Sequence, residues 1–447
     1  MAKEVPSAVM KRDSRHSVVA YVREECLKNP NPKCLYDMLD THLDPTKPID
    51  DYDAITWCKW LMAGGPNYDL FAKKVREYDS SVMCGLVWTA NFVAYRCRTC
   101  AISPCMSLCA DCFQAGNHEG HDYNMFRSQA GGACDCGDIN VMNAAGFCPR
   151  HGPENQQAAP SPPAELLAVS QAMMPRIFMR LVFYLREISD PVLSTYTVNM
   201  EDAEQYLAYL HSLSDMGAAM RRIMTQALID SAQYRHLMKG EGNPTFFENS
   251  AMKYETALQK LPYPEDFDGF NFDGKTKRRG SSTTDLDKKK VQPHKNMLEE
   301  LVFWMVKSEF PQSMVTLLLG LLPDDTYKDA FTEAFVQHYS RISTVLASAK
   351  DRATVANRVV HISVQLFSNE HLATRMVNSH NLLSTVIASL TCMLHSILVP
   401  STMTGGSLNR HLVVECERGV MKEHCYWADR QRPDQPAVPP GPSPTAS

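Results

Sequence analysis

Nine of the fifteen cysteines in this 447-residue chain fall between Cys84 and Cys148, with His118, His121 and His151 among or just after them. No other feature limits the fold so tightly. The pairs Cys97/Cys100, Cys109/Cys112, His118/His121 and Cys148/His151 each enclose two residues. That spacing lets a chain turn both side chains onto one ion, and tetrahedral zinc takes four such ligands. Thiolate and imidazole donors suit zinc over magnesium or calcium. Cys97, Cys100, His118 and His121 make one Cys2His2 set. Cys84, Cys109, Cys112, Cys134, Cys136, Cys148 and His151 remain. These seven fill two tetrahedral sites only if one thiolate is shared. Cys134 and Cys136 have a single residue between them, a spacing that serves two neighbouring ions as easily as one. The pattern therefore predicts zinc, three ions in all, two of them in a cluster with a shared cysteine. Cys105 is left over as a free thiol.

Rival readings of the cluster fit less well. A secreted disulfide module has no use for histidines at ligand spacing, and reduced thiols point to a cytoplasmic or nuclear chain. Met1 to Lys28 is polar and charged, without the apolar stretch of a signal peptide. A catalytic zinc keeps one position open, whereas this ligand count saturates every ion, so no catalytic residue is assigned. Residues 84–152 contain no lysine, and four arginines face five acidic residues. The net charge of the chain is −5. Phosphate contacts need a basic surface, so nucleic acid is not an expected partner. A cross-braced RING does not carry the turn Cys134-Asp135-Cys136-Gly137-Asp138.

The flanks read as helix. Ser17 to Leu27, Cys34 to Leu39, Ala54 to Met62 and the run from Tyr68 carry apolar residues at helical spacing, and Gly64, Gly65 and Pro66 form a stop. Cys26, Cys34 and Cys58 stand alone and read as small apolar residues. After a linker at 153–163, Ala164 to Ile188 is a long helical pattern with a kink or break expected at Pro175. Met200 to Lys239 continues, interrupted near Gly217. Residues 262–296 shift to charged composition and read as a disordered insertion. Residues 297–400 form a second helical block in which His361, His371, His380 and His395 read as structural. Leu382 to Val399 is broken by polar residues and reads as a buried helix, so no membrane span is expected. Residues 401–447 read as a mostly disordered tail, and the helical pattern near His411 to Met421 is cut off, as in a piece or alternative end of something longer. The expected fold is mainly α. A helical scaffold (1–80, 154–261 and 297–400) carries an inserted, small, zinc-stabilised, loop-rich domain at 81–153.

This ligand order resembles the UBR box, the substrate-recognition zinc module of N-end-rule ubiquitin ligases. The turn Cys134 to Asp138 is characteristic of it, and the flanks, with VREYDSSVMCGLVWTANFVAYRC, look most like the third of the human ligases in that family. The resemblance implies Cys84, Cys109, Cys112 and Cys134 on one ion, and Cys112, Cys136, Cys148 and His151 on its neighbour, with Cys112 bridging. It further implies the substrate-recognition portion of an E3 ubiquitin ligase, binding protein substrates through an N-terminus or internal degron. In the family, carboxylates accept charge-assisted hydrogen bonds from the α-ammonium and basic side chain of the first residue. Asp135 and Asp138 match two of these acidic positions. Ser103 stands at a third, and Ala133 at an aromatic position, so an intact zinc fold with weakened or altered preference for basic N-termini is expected. Transfer in the family runs through a distant RING that recruits a ubiquitin-loaded E2. After His151 the cysteines are Cys392, Cys416 and Cys425. This chain is therefore expected to recognise without ubiquitinating, an E2 being reached only through regions absent here. The alternatives are a non-catalytic adaptor or competitor, or a purely structural zinc module.

Overall fold

The structure is a computed structural model. It describes residues 15–387 except 30, 51, 80–81, 89–90, 129–131, 155–160, 190–197, 240–242, 261–293, 368–369, 381 and 384. The expected tail, nearly all of the charged insertion, most of Leu382 to Val399, the pattern near His411 to Met421, His395 and the last three cysteines lie outside the described residues.

Four helices precede the cysteine-rich segment: α1 (Arg15–Lys28), α2 (Lys33–His42), α3 (Tyr52–Ala63) and α4 (Tyr68–Arg76). Gly64 and Gly65 end α3 with φ of 73° and 153°, values that favour glycine. The segment itself carries more strand than its loop-rich composition suggests. Strands β1 (Val87–Trp88) and β5 (Gly132–Ala133) pair antiparallel, and β2 (Val93–Cys97) lies between β3 (Leu108–Cys109) and β4 (Tyr123–Arg127). One short helix, α5 (Ala110–Ala115), follows β3. The scaffold resumes with α6 (Ala164–Ile188), α7 (Glu204–Ser214), α8 (Ala218–Ile229), α9 (Ser231–Lys239) and α10 (Pro244–Lys260). It continues through α11 (Met297–Lys307), α12 (Gln312–Gly320), α13 (Asp325–Gln337), α14 (Tyr339–Ser348), α15 (Arg352–Phe367) and α16 (Glu370–His380). Asn296 and Asp324 cap α11 and α13 by accepting the Glu299 and Tyr327 amides, both at 2.9 Å.

A single apolar core runs from Val18 to Val75 on the first four helices and resumes at Leu167 on α6. The cysteine-rich segment has a separate core. The helices on either side therefore form one body, and the small domain is inserted into it. Helix α6 is the axis, packed by α1, α2, α3, α8, α9, α10 and α11. It is long and apolar enough to cross a membrane, but 72% of its apolar stretch is buried inside the protein, as in the core helix of a globular body. Pro175 neither ends nor divides it: the helix runs unbroken for 25 residues. Proline removes one amide from the ladder, and packing on all sides holds the helix together past the gap. The three lone cysteines pack as small side chains, Cys58 buried and Cys26 and Cys34 half-buried, with burial pushing the Cys26 and Cys58 thiols up to about 12.

Two charge pairs are buried inside this core. Arg186 Nε and Nη2 meet Glu300 Oε1 and Oε2 at 2.7 and 2.8 Å. Tyr234 Oη and Trp304 Nε1 also donate to that carboxylate. Lys253 pairs with Glu187 at 2.6 Å. Burial alone would raise the Glu300 pKa, but Arg186 outweighs it and holds the carboxyl below its ordinary value. The scaffold resumes at His294, earlier than composition suggests. Its ring packs on Tyr254, Phe303 and His338, and burial pushes its pKa down to about 4.

Removing one partner of a buried pair strands the other. Glu300→Gln is expected to destabilise the chain by about 3–5 kcal/mol, read from urea unfolding followed by helical circular dichroism. The buried imidazoles set a pH dependence. His294 titrates near 4 when folded, and burial holds His338 well below its ordinary value. Both titrate near 6.5 when unfolded, so the unfolded chain takes up protons first. Stability should fall as pH drops from about 6.5 toward about 4, and a flat thermal midpoint across that window would contradict it.

Candidate zinc centre and peptide face

The insertion is anchored at its entry. Arg76 Nε donates to the Asp215 carbonyl at 3.1 Å, and Asp79 caps α8 by accepting the Ala218 amide at 2.9 Å. Gly217 has φ 105°, and a Cβ there would lie 2.6 Å from the Asp79 carboxyl carbon. At the other side, β1 touches α12 and β5 touches α15.

Local backbone structure brings the donors together. Cys97 ends β2, and Cys100 follows one turn later. Cys109 is the N-cap of α5, where its Sγ accepts the Cys112 amide at 3.4 Å, so both thiols sit at the positive end of a helix turn. The β1/β5 ribbon extends outward through Gly85 N–H to Cys134 O and Cys84 N–H to Cys136 O, at 3.2 and 2.9 Å, which lays Cys84 beside Cys134. Cys134 and Cys136 Sγ accept the Cys109 and Cys148 amides, each at 3.3 Å. Gly137 has φ 99°, and a Cβ there would fall 2.0 Å from the Val82 carbonyl. Only glycine lets the turn close directly after Cys136.

Three groups result: Cys97, Cys100, His118 and His121; Cys84, Cys109, Cys112 and Cys134; and Cys112, Cys136, Cys148 and His151. Within each group the donor atoms lie within 4.8 Å of one another. Tetrahedral zinc with ordinary bond lengths separates two sulfurs by about 3.8 Å, and sulfur from nitrogen by about 3.5 Å. Cys148 and Cys112 Sγ are 3.9 Å apart. Cys100 Sγ lies 3.3 and 3.6 Å from His121 and His118 Nδ1, and Cys112 Sγ 3.4 Å from His151 Nδ1. The spacings suit coordination and rule out an S–S bond between Cys112 and Cys148. Among the described residues no other set of Cys, His, Asp or Glu gathers in this way. Burial and the neighbouring Cys97 push the Cys100 thiol up to about 11, while burial, with His121 adding, lowers His118. Zinc opposes both costs by favouring the thiolate and the neutral imidazole.

Cys105 is exposed and belongs to no group. Asp135, Asp138, Ser103 and Ala133 sit on two joined segments. The amides of Ile102 and Ser103 both donate to the Val141 carbonyl, at 3.0 and 3.1 Å. Asp138 Oδ1 accepts the backbone and side-chain amides of Asn140, at 2.9 and 3.0 Å. Asp135 Oδ2 accepts the Ser107 amide at 2.8 Å, and burial pushes its carboxyl up to about 6. Ser107 Oγ also donates to the Ala133 carbonyl at 3.3 Å. Sequence reasoning missed Ser107, which no rule of residue type singles out. It also missed Phe113, whose ring stacks on His118 at 4.5 Å and on Tyr95 at 4.2 Å, fixing the imidazole plane. An aromatic one residue after Cys112 was the available signal.

A profile of the putative zinc finger in N-recognin, the UBR box, matches residues 83–151. The E3 ubiquitin-protein ligase Ubr3 of Drosophila melanogaster is 45% identical over 418 residues, 93% of this chain and 18% of that protein. The chain carries a UBR box. The human E3 ubiquitin-protein ligase UBR3 is 44% identical over 422 residues, 84% of this chain and 22% of its own length. Mouse E3 ubiquitin-protein ligase UBR1 is 30% identical over 161 residues, 35% of this chain and 9% of that protein. The chain thus spans about a fifth of the Ubr3-type relatives, and the likeness to them extends well beyond the UBR box into the helical scaffold. The box is a zinc-binding module by its family and by its donor chemistry.

Because Gly137 is the only residue type its turn admits, Gly137→Ala should lower the zinc content of the purified chain. The scaffold helices, with their own core, should keep their circular dichroism.

Proposed function

We propose that this chain is the substrate-recognition portion of an E3 ubiquitin ligase, and that its UBR box receives protein N-termini or internal degrons. The observation that carries the reading is the Cys-Asp-Cys-Gly-Asp turn. In one five-residue segment it brings two donors to the metal groups, ties Asp135 to the Ser107 amide, and places Asp138 in the turn whose Val141 carbonyl accepts the Ile102 and Ser103 amides. The box would hold three zinc ions, with Cys84, Cys109, Cys112 and Cys134 on one, Cys112, Cys136, Cys148 and His151 on its neighbour, and Cys97, Cys100, His118 and His121 on the third. Twelve ligand positions are then filled by eleven residues, because Cys112 serves twice. A bridging thiolate is shared between two dications and so makes up for the missing twelfth donor.

The peptide's α-ammonium is mostly charged at neutral pH, with a reference pKa of about 7.7–8.0. Asp138 and Asp135 are the groups that can accept its hydrogen bonds. Ubiquitin transfer belongs, on this reading, to a longer protein of the kind its relatives represent. A reducing compartment, the cytoplasm or the nucleus, fits a domain built on reduced thiols.

Two measurements test the reading. Native mass spectrometry of the full chain should show three zinc ions, and two would remove the shared thiolate. Peptides with a free N-terminus should bind the zinc-loaded chain, and Asp138→Asn should weaken them about tenfold to a hundredfold, the value of a hydrogen bond to a charged group. Zinc content should not change in that variant. Equal binding of free and N-acetylated peptides would defeat the N-terminal reading.

A further inference from the structure

We propose that the outer edge of β4 is a recognition surface separate from the N-terminal site, and that it takes an extended segment of a partner protein as an added antiparallel strand. In the three-stranded sheet β4 pairs with β2 alone, and among the described residues no strand lies on its other side. The hydrogen-bond phase tells which groups are open. Ser128 N–H donates to the Phe92 carbonyl at 2.9 Å, and Arg98 N–H to the Asp122 carbonyl at 2.8 Å. In an antiparallel ladder alternate residues bond to the same neighbour. Asn124 and Phe126 therefore turn their backbone groups to β2, opposite Arg96 and Ala94, while Tyr123, Met125 and Arg127 turn theirs outward. Proteins guard such edges with lysine, proline or a bulge. Residues 123–127 carry no lysine or proline, and their register with β2 is unbroken.

The side chains of the same three residues share one face of the strand. Tyr123 and Met125 are 49% and 61% exposed, and Arg127 is exposed and enters no ion pair among the described residues. Tyr95 lies directly across from Met125, and the Phe113 ring packs on Tyr95 and Tyr123 with centroids 4.2 and 4.7 Å away. Open backbone groups specify an extended main chain in whatever binds them, and the row of side chains sets its pattern. Running antiparallel, the added strand would bring an acidic residue against Arg127 first, then apolar residues against Met125 and Tyr123 at every second position. The scaffold meets the insertion through β1 and β5, which form the other sheet. A second copy of the chain is the rival occupant. Two five-residue edges cover too little for it, since a stable dimer buries about 1,200–2,000 Å². A linear segment needs only the edge itself.

The test uses the full zinc-loaded chain and the N-acetylated peptide Thr-Glu-Thr-Val-Thr-Val-Thr with a fluorophore at its C-terminus, which offers no ammonium to the N-terminal site. The peptide should bind saturably. Met125→Pro removes an outward amide that β2 does not use, a change edge strands tolerate, so its zinc content should match that of the parent. It should weaken the peptide about tenfold or more. Backbone N-methylation of the first Val, which would face Met125, should cost about tenfold, and methylation of the Thr after it should stay within about twofold. Arg127→Glu should weaken the peptide by up to about fivefold and favour the version with Lys in place of Glu. No binding of the peptide, equal binding by parent and Met125→Pro, or equal effects of the two methylations overturns this inference and leaves the N-terminal reading standing. A parent that sediments as a dimer, with Met125→Pro a monomer, would give the edge to a second copy and overturn it as well.

Discussion

The inserted domain depends on donor clusters in place of an oily core. Seven of the twelve buried apolar residues in its core are thiols drawn into the metal groups, and Trp88, Ala94, Met106, Leu108 and Met142 are the remainder. So little apolar surface cannot offset the ordering of nearly seventy residues that bend repeatedly. Binding free energy to metal becomes folding free energy in such a domain. Much of the short regular structure therefore serves the donors: β2 and β3 end on Cys97 and Cys109, α5 carries Cys112, and β5 leads into Cys134. The N–H···S bonds from Cys109, Cys112 and Cys148 reinforce the same arrangement, because they stabilise sulfur in its charged form.

The scaffold solves a different problem. Its helices bury an extensive core around α6, and the chain enters and leaves the inserted domain without breaking that core. Asp79 capping α8, Arg76 on the Asp215 carbonyl, and β1 and β5 against α12 and α15 fix the domain on the helices. The Cys134–Asp138 turn is thereby held in one orientation, since β5, which touches α15, leads directly into it. Under the proposed function, that rigidity would settle the entropy of orienting a bound partner before binding.

How much of this could be read in the sequence depends on the range of the interaction. Ligand spacing is local chemistry, so the residues that gather in the three groups could be named from their order alone. Helices with a clean apolar face, such as α4 with Phe71, Ala72 and Val75 buried, were equally legible. Long-range packing was not. Pro175 promised a break because proline's local cost is known, whereas the neighbours that hold α6 straight come from both ends of the chain. His294 looked like part of a charged linker, since nothing local signals that its ring will meet Tyr254 and His338. Ser107 is the same case within the site: its role comes from facing Asp135 across the fold, 28 positions away.

The departures at Ser103 and Ala133 acquire meaning from that three-dimensional setting. A missing carboxylate would, by itself, be a weaker version of a cation site. Here the hydroxyl stands on a loop with an exposed isoleucine, the opposing loop exposes another, and the neighbouring carboxylates are partly committed to Ser107 and Asn140. A hydroxyl in place of a charge and exposed apolar surface on the same two loops act in the same direction, since lower polarity raises the cost of an unpaired cation. The metal groups are indifferent to this change: their donors come from the cysteines and histidines around the face, and the Asp135 and Asp138 side chains belong to none of them. Asp135, Asp138 and Ser103 can therefore change without altering the donor set that keeps the fold.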